Sequence, residues 1–203
     1  MVTLLARQLL TGIKVLAVLT LVLGLAYPLS MVAIGRLVPS QDASIRDASG
    51  QVVGNAHLAQ KVTGDEWFYP RPSAGDYDGL ASGASNLAAN SPELLADIRA
   101  RRADIAAREH VDPAAIPADA LTASASGLDP DISREYARLQ IARVARETGI
   151  SERGVEIMVA KNTAQPLLGF IGEPHVNVTT LNNDLANSLA DSSDHRTESA
   201  GTH

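Results

Sequence analysis

The hydrophobic pattern is uninterrupted in one place: the twenty residues from Val15 to Ile34 include no charged side chain, and Lys14 and Arg36 flank them. As a helix at ~1.5 Å per residue, this stretch spans roughly 30 Å, the thickness of a bilayer's hydrocarbon core. It lacks the polar stripe of a buried soluble helix and exceeds the apolar region of a signal peptide. We predict a retained transmembrane helix over about residues 13–34, within an N-terminal segment of residues 1–36.

Pro28 lies inside this apolar stretch. Proline has no N–H and clashes with the preceding turn, so we expect a kink whose freed carbonyl is covered by a neighbouring helix. Pro28 is therefore a candidate partner contact. The basic residues Arg7 and Lys14 slightly favour a cytoplasmic N-terminus. The expected topology is a single pass through the cytoplasmic (inner) membrane, with the rest of the chain outside the cytoplasm.

The pattern after residue 36 is mixed. Alternating residues on both sides of a turn predict a β-hairpin over Ser44–Gly54. Apolar residues at helical spacing predict three helices, and each begins after a serine suited to the N-cap: Ser91, Ser133 and Ser151. The sequence thus predicts an α-leaning α+β fold.

The end of the chain changes character again. A short strand is predicted over residues 176–178 and a last helix over residues 181–189. The polar residues 190–203 lack apolar periodicity, and we predict that they form a disordered tail. One α+β domain over residues 37–189 therefore follows the membrane helix.

Long loops connect these elements. Residues 62–92 are rich in Gly, Pro, Ser and Asn, yet Trp67, Phe68 and Tyr69 stand together in the middle. A solvated linker would not carry three consecutive aromatic residues, so we predict an ordered loop. Arg71 follows between two prolines. It either presents a cation to a partner or bonds to neighbouring loop carbonyls and stacks on an aromatic ring.

Composition and charge exclude several classes. The chain has no cysteine, so disulfides, thiol nucleophiles and cysteine zinc sites are absent. Of its 17 basic residues, three precede residue 37, which leaves 14 against 23 acidic residues and a net charge of -9 for the rest. An acidic body disfavours binding to nucleic acid.

Candidate chemistry is sparse. The five histidines lack the spacing of a metal site, and no lysine follows a glycine-rich phosphate loop. Ser124 and Ser126 stand beside Gly127, with Asp129 and His175 elsewhere, but a nucleophile elbow is missing. A tight loop in which the serines and Asp129 bond to backbone groups explains the same residues. A serine hydrolase therefore remains an alternative.

Five motifs, in order, resemble the C subunit of the Kdp potassium-transporting ATPase. Their residues are Trp67-Phe68-Tyr69-Pro70-Arg71-Pro72-Ser73-Ala74, Ser82-Gly83-Ala84-Ser85-Asn86-Leu87, Thr122 to Pro130, Gln140 with Arg143-Val144-Ala145, and Gly172-Glu173-Pro174 with Val176-Asn177-Val178 and Leu181-Asn182. The resemblance covers roughly residues 5–189. Asp131 stands where histidine or asparagine is usual, and His175 where arginine is usual.

The resemblance implies a non-catalytic accessory subunit of an ATP-driven, high-affinity potassium uptake complex. Assembly and stabilisation of the complex are its implied role, and ion entry and nucleotide affinity are further properties of the complex that it could affect. Its implied partners are the lipid bilayer, a channel-like potassium-binding subunit, a P-type ATPase subunit and a small single-span peptide. The chain by itself would bind no cofactor or metal, since ATP and potassium act on the complex. A nucleotide contact proposed for the family would fall on Gln140, although a body outside the cytoplasm would not meet cytoplasmic ATP.

Candidate contacts and two alternatives follow. The residues expected to contact partners or neighbouring loops are Pro28, Trp67, Phe68, Arg71, Ser85, Asn86, Ser124, Ser126, Asp129 and Asn177. One alternative is a membrane-anchored extracytoplasmic hydrolase that uses Ser124 or Ser126. The other is an anchored binding module that presents the loop from Trp67 to Arg71 to an unrelated partner.

Overall fold

The computed structural model describes residues 2–37, 43–166 and 168–200, and the predicted boundary between the first segment and the body falls partly on residues outside these ranges. The chain divides into two compact units, Met1–Asp42 and Ala43–His203. Each unit is considered by itself.

The described part of the first unit, residues 2–37, is helical throughout. Helix α1 (Val2–Leu21) leads through a π-helical turn (Val22–Ala26) into helix α2 (Tyr27–Leu37). Residues Thr3–Leu37 form the one helix in the described part of the chain that is long and apolar enough to cross a membrane. This helix is longer than the predicted span of residues 13–34, because the turns before Lys14 are also apolar enough to continue it.

The π-helical turn lies immediately before Pro28. The N–H of Tyr27 donates to the carbonyl of Val22, five residues earlier, instead of to the usual fourth residue. Pro28 has no N–H to continue either pattern. The wider turn is the local adjustment by which a helix accommodates such an interruption, and π-turns of this kind are rare elsewhere in helices.

The second unit begins with a two-stranded antiparallel sheet. Strands β1 (Ser44–Arg46) and β2 (Val52–Asn55) pair with a register shift after Ile45. The predicted hairpin is therefore confirmed. Asp47 stabilises its turn, since one carboxylate oxygen accepts hydrogen bonds from the backbone of Ser49 and Gln51. Residues 56–91 then form a long loop without a helix or strand.

The helices of the body begin where their caps predict. Helix α3 (Pro92–Glu109) is followed by a 3₁₀ turn (Pro113–Ala115) and by helices α4 (Ala118–Leu121), α5 (Arg134–Thr148) and α6 (Glu152–Lys161). Ser91, Ser133 and Ser151 each accept a hydrogen bond from the backbone three residues on. Gly149 ends α5 with φ +74°, a conformation that glycine adopts without steric cost.

A second sheet has three short antiparallel strands. Strand β5 (His175–Asn177) lies between β3 (Asp131–Ser133) and β4 (Thr163–Ala164). Its central residue Val176 is fully buried opposite Ile132. The strand begins one residue earlier than predicted. The mixed α+β fold is confirmed, with helices contributing most of the regular structure.

Helix α7 (Val178–Ala200) corrects the predicted end of the chain. It starts earlier than residue 181, because Asn177 accepts a hydrogen bond from the N–H of Thr180 and so caps it. It also includes residues 190–200, for which the sequence predicts disorder, while residues 201–203 lie outside the described ranges. Each residue added to a helix that has already formed gains a hydrogen bond without a new nucleation cost, and this favours continuation of the helix past its packed turns.

The core lies between α5, the three-stranded sheet, the start of α7 and the long loop. Its fully buried members, with none of their surface exposed, are Phe68, Ala120, Ala137, Val144, Val155, Val176, Leu181 and Leu185. Phe68 is the loop's contribution to this core. A loop residue in the centre of the core explains why so long a segment is ordered.

The two phenylalanines of the chain form a matched pair for testing this arrangement. Phe68 is fully buried, whereas Phe170 is 77% exposed. We expect Phe68→Ala to reduce the free energy of unfolding by about 3–5 kcal/mol, because it leaves a core cavity, and Phe170→Ala to change it by less than about 0.5 kcal/mol. Denaturant unfolding of the full chain in mild detergent, followed by the fluorescence of Trp67, measures both. Equal effects would contradict the placement of Phe68.

Candidate functional site

The aromatic segment Trp67–Tyr69 is fixed by two side-chain amides that act like neighbouring strands. Asn182 accepts from the N–H of Phe68 at 2.9 Å and donates to its carbonyl at 2.9 Å. Gln140 accepts from the N–H of Tyr69 at 2.8 Å and donates to its carbonyl at 3.1 Å. The segment thus faces the interior at Phe68, while Trp67 packs against the core at its edge.

A buried ion pair lies beneath this segment. Nε of Arg143 donates to both carboxylate oxygens of Glu109, at 3.1 and 2.9 Å, and the two side chains are 1% and 0% exposed. The same guanidinium donates to the carbonyls of Asp65 and Trp67. Arg108 also donates to Glu109 and lies 4.0 Å from the centre of the Tyr69 ring. The buried charges are therefore paired and hydrogen-bonded, as burial requires.

Gln140 is an internal part of this network. Its side-chain oxygen also accepts from Nη2 of Arg143 at 2.9 Å, and the residue is 0% exposed. In this structure a nucleotide would reach the Gln140 amide only if the aromatic segment left helix α5. The geometry therefore gives Gln140 a role in holding the loop.

Three loops that carry sequence motifs meet at one place, which we call the loop junction (residues 70–75, 82–86 and 122–130). The N–H of Ser124 donates to the carbonyl of Pro72 at 3.0 Å, and that of Gly83 to the carbonyl of Ser126 at 2.9 Å. Gly127 has φ +70°, and a Cβ there would lie 3.0 Å from the Gly83 carbonyl oxygen. Only glycine allows the loops to approach this closely.

Arg71 and Asp129, both predicted site residues, form an ion pair in the junction. The distance from Nη1 to Oδ2 is 3.2 Å, and the side chains are 26% and 33% exposed. Asp129 also accepts from the N–H of Asp131. The hydroxyl of Tyr77 donates to the Arg71 carbonyl at 2.8 Å, and burial raises the pKa of Tyr77 to about 12, so this donor stays protonated. The Arg71 side chain therefore pairs with a carboxylate, whereas the loop interpretation predicted bonds to carbonyls and stacking on an aromatic ring.

Ser85 and Asn86 form the outer rim of the junction. Both are exposed, and Asn86 has φ +53°, a left-handed conformation that asparagine tolerates better than most residues. Together with Ser126, they are the predicted contact residues of the junction that are exposed. Trp67 is accessible from a separate hollow of about 240 Å³, which it lines with Lys61, Thr179 and Asn182.

The two candidate serine nucleophiles differ sharply in access. Ser124 is 2% exposed, so a substrate does not reach it without opening the junction. Ser126 is exposed, and its hydroxyl accepts from the N–H of Leu128 at 3.1 Å. It lines a hollow of about 450 Å³ with Asp129 and His57, whereas His175 lines a different hollow. The predicted partner His175 is thus not placed beside either serine.

Asn177 serves the fold. Besides capping helix α7 it donates to the carbonyl of Ala56 at 2.8 Å, which joins the second sheet to the start of the long loop. The described residues contain no group of three or more His, Cys, Asp or Glu side chains that could hold a metal ion. The sequence interpretation missed Glu109 and Asn182 as organising residues. Asn182 belongs to the last recognised motif, but nothing in the pattern of helix α3 marks Glu109 as buried.

Asp131 on strand β3 and His175 on the adjacent strand β5 are diagonal neighbours, since their register partners are Asn177 and Ser133. Nε2 of His175 lies 3.7 Å from Oδ2 of Asp131. Burial raises the pKa of the Asp131 carboxyl, and the nearby His175 opposes this effect. Oδ1 of Asp131 is buried without a hydrogen-bond partner among the described residues. The charged form of Asp131 therefore costs stability in this place.

The architecture fits the class of membrane-anchored subunits: one long apolar helix, then an α+β body whose loops converge on an exposed rim. The comparison with protein families identifies it further. The profile of the KdpC family, described as the c chain of the K+-transporting ATPase, matches residues 9–187. The chain belongs to the KdpC family.

Individual relatives agree with this assignment. The potassium-transporting ATPase KdpC subunit of Kineococcus radiotolerans is 51% identical over 181 residues, which cover 88% of this chain and 92% of the relative. That of Caulobacter vibrioides is 45% identical over 172 residues, covering 82% and 86%. That of Mycobacterium bovis is 43% identical over 182 residues, covering 87% and 96%. The similarity therefore spans both units.

Breaking the buried ion pair tests its role. We expect Glu109→Gln to lower the free energy of unfolding by about 3–5 kcal/mol, since it leaves the charge of Arg143 buried without a counter-ion. The control is Glu147→Gln, which breaks the exposed pair with Arg146 and should cost less than about 1 kcal/mol. Denaturant unfolding measures both, and a small effect of Glu109→Gln would show that the pair does not organise the body.

Asp131→Asn tests the cost of this half-buried carboxylate. A folded-state pKa above the unfolded one favours folding only while the group is protonated, so this contribution is lost as pH rises through the folded-state pKa. We therefore expect the asparagine variant to have the higher denaturation midpoint at pH 7, and the difference to shrink as pH falls towards the pKa of free aspartate. Asp104→Asn, on the exposed side of α3, serves as the control. A difference that does not change with pH would contradict this account.

Proposed function

We propose that this chain is the accessory subunit of an ATP-driven potassium uptake complex. Membership of the KdpC family supports this proposal most directly, because the matched relatives are subunits of potassium-transporting ATPases. The chain performs no ATP hydrolysis itself. It assembles and stabilises the channel-like potassium-binding subunit and the P-type ATPase subunit, together with a small single-span peptide.

The N-terminal helix anchors the subunit in the cytoplasmic membrane, with the N-terminus in the cytoplasm and the body on the opposite side. Its exposed apolar side chains, which include Leu16, Leu23 and Leu29, require a lipid or protein environment. Pro28 removes one N–H donor from the helix, and a carbonyl left without a donor is unfavourable in hydrocarbon. A neighbouring helix of the complex supplies the missing contacts.

The loop junction is the surface by which the body contacts a partner. Its inner contacts, including the pair between Arg71 and Asp129, fix its shape before binding. A preformed surface loses little conformational freedom on association, which favours stable assembly. The exposed rim at Ser85 and Asn86 then meets the partner. ATP and potassium bind to the other subunits in this scheme.

A co-purification experiment tests the proposed function. A mild detergent extract of native membranes that contain the tagged chain should yield a large channel-like membrane protein together with a P-type ATPase. Deleting the chain should abolish potassium-stimulated ATPase activity in the purified partners. Purification of the chain alone in every mild detergent would refute the proposal, and labelling of Ser126 by a serine-reactive probe would instead support the hydrolase alternative.

A surface variant tests the role of the junction. We expect Ser85→Arg to reduce the amount of co-purified partner several-fold, because a long charged side chain on the rim obstructs a close interface. Ala142→Arg is the matched control, since Ala142 is also small and exposed but lies on helix α5. Both variants should retain the unfolding midpoint of the parent. If the two variants co-purify equal amounts of partner, the junction is not part of the interface.

A further inference from the structure

Asp131 and His175 share the outer face of the three-stranded sheet. Strands β3 and β5 are antiparallel, and their central residues Ile132 and Val176 pair on the side of the core. Because successive side chains of a strand point to opposite faces, Asp131 and His175 both lie on the other side. Nε2 of His175 is 3.7 Å from Oδ2 of Asp131, and the side chains are 45% and 35% exposed. The two groups are close, but they are not within the usual range of a hydrogen bond.

The second ring nitrogen of His175 determines which nitrogen is free to take up a proton. Nδ1 lies 3.0 Å from the carbonyl oxygen of Glu173. A carbonyl oxygen only accepts hydrogen bonds, so Nδ1 is the donor and carries the hydrogen. In the neutral ring Nε2 is then an acceptor, and it faces the carboxylate of Asp131, which also only accepts. The two groups have no hydrogen to share until the ring gains a proton.

The charged groups around this pair are mostly acidic. The pair lines a hollow of about 690 Å³, and the other charged residues that line it are Arg71, Asp119, Asp129, Arg134, Glu135 and Glu173. Strand β4, on the other side of β5, contributes no charged residue. Together with Asp131, the lining comprises five carboxylates and two guanidiniums. A proton on His175 therefore enters a region of negative potential.

The cost of the Asp131 carboxylate depends on the charge of the imidazoles near it. Burial raises the pKa of the Asp131 carboxyl and Asp129 acts in the same direction, whereas His175 and, from the long loop, His57 oppose them. An imidazole opposes them only while it is charged, and imidazoles change charge between about pH 5 and 8. Above this range Asp131 keeps its charge and loses its partner.

We propose that Asp131 and His175 form a pH-dependent latch, in which protonation of Nε2 of His175 creates a hydrogen bond to Oδ2 of Asp131 that ties strand β5 to strand β3. The latch stabilises the body in mild acid. Its contribution is lost as the pH rises and the ring becomes neutral, and it is lost again in strong acid, where the carboxyl itself is protonated. This inference does not depend on the proposed function.

The position of the latch makes its effect wider than one pair. Strand β3 leads directly into helix α5, and strand β5 leads directly into helix α7. The N–H of Asp131 donates to Asp129, which pairs with Arg71 in the loop junction. A cation beside Asp131 weakens the repulsion between these two neighbouring carboxylates. Mild acid therefore strengthens the edge of the junction together with the sheet.

The tautomer of His175 provides the first test. The full chain with ¹⁵N-labelled histidine is studied by NMR in mild detergent at pH 8, above the range in which an imidazole titrates, and His175→Gln assigns the signals. We expect the hydrogen of the neutral ring on Nδ1. The control is His57, whose ring makes no hydrogen bond among the described residues, and which should exchange between both tautomers. A hydrogen on Nε2 of His175 at pH 8 would overturn the proposal, because the bond to Asp131 would then need no proton.

The pH dependence of stability provides the second test. Denaturant unfolding of the full chain gives the unfolding equilibrium constant at pH 5.5 and pH 8. We expect this constant to fall on acidification about two- to fivefold more in the parent than in His175→Gln, the range for a partly exposed ion pair. Asp131→Asn should remove the same difference, and combining it with His175→Gln should remove no more. The control His57→Gln should keep most of it.

A permanent cation separates the latch from a loss of packing. His175→Arg keeps a donor beside Asp131 at both pH values, so its unfolding constant should lack the extra change of the parent while the variant stays folded at pH 8. This variant and Asp131→Asn decide the question even if His175→Gln does not fold. If either has the full pH dependence of the parent, the latch does not exist. All measurements use the chain without partners, so this result would leave the proposed function untouched.

Discussion

The buried pairing of Arg143 with Glu109 is the constraint on which the rest of the body depends. It joins helix α5 to helix α3, and the remaining donors of the guanidinium bind carbonyls in the long loop. A single planar cation thus connects two helices and a segment without regular structure. Because an unpaired charge is strongly unfavourable in the interior, the three parts must come together for any of them to be stable.

Hydrogen bonds from two side-chain amides order the long loop, in the way that a neighbouring strand orders a strand of a sheet. Asn182 and Gln140 each satisfy both backbone groups of one loop residue, as a neighbouring strand would. The loop can therefore bury Phe68 without leaving its backbone polar groups unpaired. Beyond the aromatic segment the same logic continues in the loop junction, where backbone contacts at Gly127 and Gly83 replace apolar packing. Such a surface is rigid without being part of a helix or strand.

This construction suits a subunit that works through contacts. The serine-rich motifs, which resemble a loop around a nucleophile, are used internally: Ser124 is buried and Ser126 accepts a backbone hydrogen bond. Accessible surfaces include a rim of small polar residues at Ser85 and Asn86 and, on another loop, the exposed side chains of Leu168 and Phe170. The N-terminal helix adds a third kind of surface, which is apolar and long enough to cross a membrane. The described part of the body therefore presents surfaces of different chemistry.

Local interactions determined what the sequence alone could predict. The apolar helix, the hairpin and the starts of helices α3, α5 and α6 follow from composition and from capping serines whose partners lie three residues away. Only the tertiary structure decided that Phe68 is buried while Phe170 is exposed. It also decided that two polar residues, Gln140 and Glu109, are buried. The partner of Glu109 is 34 residues away, and that of Phe68 is 114 residues away. Burial is set by such distant partners, and a local pattern carries no information about them.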